Sequence, residues 1–218
     1  GFFVVKGTVD GIQGDFYTRA GQTKLRSDGT LVNPQDLAVQ GYQANPDGSF
    51  GTTLGNLKLS TAAIPPKATS ALSITANVDA AATTPTLPWD PTNPVATSNF
   101  STTMKVYDTL GNAHTVDVYF RKSATGSWSY NALAAGSEVS GGTAGTPSTI
   151  TSGTLSFTTS GALNSVTTTS GGTVTFNGAA AQTLTFDFGS PISAGGTGLS
   201  GLTQFASPSN VSAQSQDG

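Results

Sequence analysis

Residues 101–120, STTMKVYDTLGNAHTVDVYF, constrain the fold more than any other stretch of the chain. Met104 and Val106 alternate with Lys105, and Val116, Val118 and Phe120 alternate with Thr115, Asp117 and Tyr119. A repeat of two places alternate side chains on one face of a strand, whereas a helix would scatter them around its axis. Asp108 to Asn112 supplies a tight turn between the runs, so the segment reads as a β-hairpin with one buried face. Composition extends this reading to the whole chain. Thr alone accounts for 35 of 218 residues and Ser and Thr together for 60, while Glu occurs once, at Glu138. β-Branched side chains lose χ1 freedom against a helical turn and pack well on a pleated surface. The expected fold class is all-β.

Other runs follow the same logic. Residues 2–5 are apolar, and 15–19 follow a glycine-marked turn at 11–14. Residues 24–32 form a hairpin candidate around Ser27-Asp28-Gly29, residues 39–42 a further strand, and Asn45-Pro46-Asp47-Gly48 another turn. Ile64-Pro65-Pro66 stiffens the backbone and ends regular pairing, which marks a domain boundary. Beyond it, residues 70–78 alternate Leu72, Ile74, Ala76 and Val78 against Ser73, Thr75 and Asn77. Residues 80–94 form a proline-spaced loop, and Trp128-Ser129-Tyr130 a strand. The Gly/Ser/Thr-rich stretch 136–151 reads as a mobile surface loop. Residues 154–157, 163–167, 173–176 and 183–188 continue as a meander, with Leu184, Phe186 and Phe188 on one side and Thr185 and Asp187 on the other. From Ser190 alternation is lost and the chain ends on a polar tail. With no initiator Met and no basic-then-apolar leader, the chain reads as trimmed at its start.

Several function classes are disfavoured. Nine basic residues against twelve acidic ones, for a net charge of −3, cannot build a phosphate-tracking stripe, so no nucleic-acid partner is expected. No apolar run approaches the roughly 18 residues of a membrane-spanning helix, so no membrane insertion is expected. The lack of cysteine removes disulfides, thiolate nucleophiles and Cys-based metal sites. His114, the single histidine, has Asp108 and Asp117 nearby, yet it follows a hairpin turn where a solvated side chain is the ordinary outcome. Asp28, Asp47 and Asp108 sit in turn contexts, where carboxylates cap backbone N–H groups more often than they catalyse. Gly195-Gly196-Thr197-Gly198 lacks the Lys-Ser/Thr of a phosphate loop. Trp89, Trp128, Tyr107, Tyr119 and Tyr130 could form a sugar-binding platform, with cross-strand packing the commoner use. Asn99-Phe100-Ser101 and Asn210-Val211-Ser212 match the glycosylation sequon. No catalytic, cofactor-binding or metal-ligating residue is expected, and no enzyme.

Residues 16–42, FYTRAGQTKLRSDGTLVNPQDLAVQGY, resemble the motif shared by bacterial flagellar rod and hook proteins, through Tyr17, Thr18, Arg19, Gly21, Gly29, Leu31, Val32, Gln40, Gly41 and Tyr42. Gly1-Phe2-Phe3-Val4-Val5 is similar to the strand that precedes it in that family. Thr23 stands where the family often carries an aromatic and Asp36 where it often carries Gly. Residues 106–120, the stretch 154–161 and the last segment, 201–218, resemble the outer domain of the flagellar hook protein (FlgE) family, an insertion that rod proteins generally lack. The resemblance implies a partial inner domain of short strands and hairpins at 1–65, an outer β-barrel or sandwich-like domain at 66–205, and 206–218 as an exit segment returning toward the inner domain. It also implies that strands beyond Gly218 complete the inner domain and that terminal helices are missing. The implied role is a self-assembling subunit of the extracellular hook. Its partners would be copies of itself, the rod, the hook cap and the hook–filament junction proteins, with export through the flagellar secretion channel. A distal rod or hook-associated protein, and a secreted adhesin or sugar-binding β module, are the alternatives.

Overall fold

The computed structural model describes residues 1–45, 48–59 and 65–218. Its backbone forms two compact units, Gly1–Ile64 and Pro65–Gly218. In the first, β1 (Phe3–Val9) and β2 (Ile12–Thr18) form a hairpin. Its turn is Asp10-Gly11 alone, both with positive φ, the two-residue geometry that matches strand twist. The glycine-marked turn expected across 11–14 is therefore shorter, and Gly14 lies inside β2 opposite Gly7. Short β3 (Lys24–Leu25) and β4 (Leu31–Val32) close on Asp28-Gly29 as the sequence predicts, with Gly29 at φ 80°. β5 (Ala38–Ala44) pairs with β1, β4 and β6 (Phe50–Asn56), in the order β2-β1-β5-β4-β3 with β6 beside β5. The turn expected at 45–48 falls partly outside the described residues. The core is small: Val5, Leu37 and Val39, backed by Phe16, Leu31 and Leu57.

The second unit opens with β7 (Ala71–Asn77). A proline-rich loop and a single helical turn, α1 (Pro94–Thr97), lead into β8 (Phe100–Tyr107). β9 (Ala113–Ala124), β10 (Ser127–Ala134), β11 (Ser148–Phe157) and β12 (Leu163–Gly171) complete a five-stranded antiparallel meander. The inward set contains Met104, Val106, Val116, Val118, Phe120, Trp128, Tyr130 and Leu155, as the alternation requires. The loop before α1 is pinned by two cations of β9. Lys122 Nζ donates to the carbonyls of Ala80 and Ala82, and Arg121 to those of Pro85 and Leu87.

After a short ribbon, β13 (Thr173–Val174) with β14 (Gln182–Thr183), the chain crosses to a second sheet. β15 (Thr185–Asp187) runs parallel to β7, and β16 (Asn210–Gln216) runs antiparallel along its other edge. Leu72, Ile74 and Ala76 of β7 join the meander's inward side chains in one core, so the unit is a β-sandwich. Phe188 sits in its middle, 4.7 Å from the Tyr130 ring and edge-on to Phe120.

Two expectations need correction. The stretch 136–151 is not one long loop. A 3-10 turn occupies Gly136–Glu138, and 148–151 begin β11 with Ile150 buried. The polar tail contains β16, a strand whose composition (NVSAQSQ) hides it because it lies at a sheet edge with one half-buried apolar side chain, Val211. Edge strands tolerate, and are protected by, such polarity.

Both tryptophans lie in the second unit, so their fluorescence isolates its unfolding. Truncating Phe188→Ala is expected to cost about 3–5 kcal/mol in urea denaturation. Exposed Thr185→Ala, next to it on the other face, is expected to cost no more than ~0.5 kcal/mol.

Candidate functional site

The side chains that look most like chemistry gather around His114. Strand β9 begins at Ala113, and the chain just before β9 is the turn 108–112. Asp108 opens this turn and is fully buried. Its Oδ1 accepts the backbone N–H groups of Leu110 and Asn112, and its Oδ2 accepts the Asn112 side-chain amide. Gly111, at φ 84°, donates its N–H to the Asp108 carbonyl, and a Cβ there would lie 2.9 Å from Pro66. His114 then brings Nε2 to 3.1 Å from Asp108 Oδ2 and Nδ1 to 2.9 Å from Glu138 Oε2. Its ring lies flat on Phe176, 3.8 Å between centroids and 5° between planes. The imidazole is only 11% exposed, contrary to the solvated side chain expected from its place after a turn. The turn positions it, but Glu138 and Phe176 come from segments the local sequence does not announce.

Burial pushes the Asp108 carboxyl up. The hydrogen bonds from the Asn112 side chain, His114 and the Asn112 and Leu110 backbone together outweigh it, leaving the group well below the ordinary value of 3.8. The cluster is poor catalytic material. Carboxylates face both ring nitrogens from opposite sides, so neither nitrogen is left to take a proton from a hydroxyl, and the two acids share no point where a metal could sit. Among the described residues no group of three or more His, Asp or Glu side chains is arranged to hold a metal ion. What the arrangement does is tie the β8–β9 turn to the 3-10 turn and to the segment after β13.

The remaining sequence candidates are dispersed. Trp128 and Tyr130 are buried in the core, and Trp89 tilts against Tyr119 at 5.8 Å, which is packing within the unit. Asp28 caps the N–H group of Thr30, and Asp47 lies outside the described residues. At 195–198 the backbone N–H groups of Gly195, Gly196 and Gly198 are consumed by Ile192, Pro191 and Ser190, so no phosphate cradle exists there. In the sequon at 99–101, Asn99 donates its side-chain amide to Thr83 and accepts from the Lys122 backbone.

Two surfaces stand out instead. In the first unit the register places Tyr17 opposite Val4 and Tyr42 opposite Leu54, and Tyr17, Tyr42 and Leu54 are exposed. Phe2, Phe3, Ile12, Phe50 and Leu59 are exposed as well, so this small unit carries most of the exposed large apolar side chains among the described residues. The second unit presents hydroxyls. Ser156 bonds to Ser165, Thr103 to Asp117 and Asn164 to Ser156 across neighbouring strands.

Comparison with known proteins defines the class. The family profile described as the flagellar basal body protein FlaE D2 domain matches residues 77–218, and the chain belongs to that flagellar family. Over its whole length it is 30% identical to the flagellar hook protein FlgE of Salmonella typhimurium, and over 132 residues, or 59% of this chain and 32% of the relative, 33% identical to that of Escherichia coli K12. The chain spans about half the length of the Salmonella relative, 50% of it. The Helicobacter pylori flagellar hook protein FlgE2 shares the fold, with a TM-score of 0.57 at 13% identity over all of this chain and 79% of that one.

Two measurements probe the His114 cluster. His114→Ala, which loses the stack and both polar contacts, is expected to destabilise the second unit by about 2–3 kcal/mol, and His114→Phe, which keeps the stack, by about half of that. Because Asp108 titrates lower in the fold than in the unfolded chain, its contribution is present above about pH 4 and is lost as pH falls through its folded value. The stability gap between the native chain and Asp108→Asn is therefore expected to narrow from near-neutral pH to about pH 3 in tryptophan-monitored urea unfolding.

Proposed function

We propose that this chain is part of a structural subunit of the bacterial flagellar hook, the curved tube that acts as a universal joint between rod and filament. The observation that carries the reading is the whole-chain relationship to hook proteins, together with the family match across the second unit. In this reading residues 1–65 are part of the inner domain, 66–205 form the outer domain, and 206–218 lead back toward the inner domain. The subunit polymerises into a helical tube through heterologous contacts of both domains, which do not close into a ring. Its further partners are the rod, the hook cap and the hook–filament junction proteins. It reaches its extracellular place through the flagellar secretion channel.

The physical character of the two surfaces supports a division of labour. Exposed Phe, Tyr and Leu side chains on the first unit suit contacts that persist, since burying each contributes ~1.5–3 kcal/mol. The hydroxyl-rich second unit suits contacts that must lengthen and shorten on every turn. A hydrogen bond nets only ~1 kcal/mol and exchanges readily with water, while breaking a buried ion pair costs several. With no cysteine in the chain, no thiol-derived bond between subunits is available within it.

Immunogold electron microscopy of intact cells, with antibody raised against this chain, tests the reading. Gold is expected on a short curved segment between cell surface and filament. Labelling that emerges only after the envelope is opened would favour the rod, and gold spread over the envelope would favour an adhesin; either overturns the hook reading.

A further inference from the structure

The most heavily bonded half-buried side chain of the second unit is Asp217. Its Oδ1 accepts the backbone N–H groups of Ser70 and Ala71, at 2.8 and 2.9 Å. Its Oδ2 accepts the Ser70 hydroxyl and the Lys67 ammonium, at 2.7 and 3.0 Å, and its own carbonyl accepts Lys67 again. Next to it, Gln216 Oε1 accepts from Thr69 Oγ1. The segment it holds is already fixed on its far side. Thr69 donates its N–H to the Tyr107 carbonyl, its hydroxyl accepts from the Tyr107 N–H, and its own carbonyl accepts from Gln182. Thr185 donates to the Ser70 carbonyl. Residues 69–71 are thus anchored to β8 and β15, whereas the end of β16 is held there by Asp217 and Gln216.

The position matters because of the topology. β7 and β16 are antiparallel, with Leu72 opposite Gln216 and Asn77 opposite Asn210. The start of β7 and the end of β16 are therefore at the same end of the pair. Force that separates these two chain ends loads the ladder one rung at a time, from Leu72–Gln216 inward. The bonds of Asp217 stand before the first rung, and a carboxylate shared by four donors must release all of them before the strand can peel.

We propose that Asp217 is a mechanical latch at the outermost end of the β7–β16 pair, which bolts the end of β16 to residues 67–71 and sets the force at which that pair begins to unzip. Its use in a bending tube rests on the hook reading above, but the latch is a property of this chain and is tested without it. The carboxyl is held low by the backbone N–H groups of Ala71 and Ser70 and then by the Ser70 hydroxyl and Lys67, so it stays ionised and the latch closed at any ordinary pH.

The chain lacks cysteine, so thiols placed at Pro65 and appended after Gly218 give unique handles for single-molecule pulling on the full chain. The first extension step is expected at a clearly lower force in Asp217→Ala than in the parent. Amide exchange is expected to quicken ~10-fold or more at 70–73 and along β16, with β9 and β10 unchanged, as for a local opening. An unchanged first step would overturn the proposal. So would exchange that quickens uniformly across the unit, because Asp217 would then support global stability only. Should Asp217→Ala fail to fold, Asp217→Asn keeps the acceptor for the two N–H groups and loses the lysine. It is expected to show an intermediate force, and a force equal to the parent's would overturn the latch.

Discussion

The second unit depends on the pairing of β7 with two strands drawn from far along the chain. β15 lies against one edge in parallel and β16 against the other in antiparallel, and both approach across more than a hundred residues of intervening meander. Without those ladders the buried face of β7 would have no sheet around it, and the five-stranded meander would have nothing to cover Phe120, Trp128 and Tyr130. The loop-closure entropy of such contacts is considerable but grows slowly with length. It is offset by a continuous apolar core, and at the start of β7 by the carboxylate of Asp217.

The His114 cluster and the Asp217 contacts apply one principle in two places. Each is a carboxylate whose lone pairs are filled by several donors, one inside the β8–β9 turn and one just beyond the outermost rung of the β7–β16 ladder. In a chain with so few charges, ion pairs cannot be spread over the surface, and the described ones are concentrated at junctions. The outward faces of the strands are left to hydroxyls and amides.

Much of this was legible because a period of two is a local signal. The hairpin 101–120, the strand at 70–78 and the facing of Leu184, Phe186 and Phe188 could all be read from neighbours in sequence, and the structure buries their apolar members, Phe186 in part. The Asp108 turn was legible for the same reason, as an acid followed by Gly111 and Asn112. His114 was not. Its environment comes from Glu138 and Phe176, which approach from 24 and more residues away, so the local rule that a side chain after a turn is solvated gave the wrong answer. β16 was missed because its stability comes from backbone pairing with β7 and from polar contacts at its end, neither of which leaves an apolar period behind.

By itself, then, the sequence determined the class of fold, the hairpins at 24–32 and 101–120, the inward face of β7, β8 and β9 and, through residues 16–42 and 106–120, the family. Each of those rests on spacing between near neighbours or on motif residues that stand in the sequence itself. Only the tertiary structure decided which strands share a sheet, that β7 is flanked by β15 and β16, and that one histidine is enclosed while the aspartate just after β16 serves as a tie. Pairing energy between strands is nearly indifferent to side-chain identity at an edge, so it is settled by which partners the packed core brings within reach.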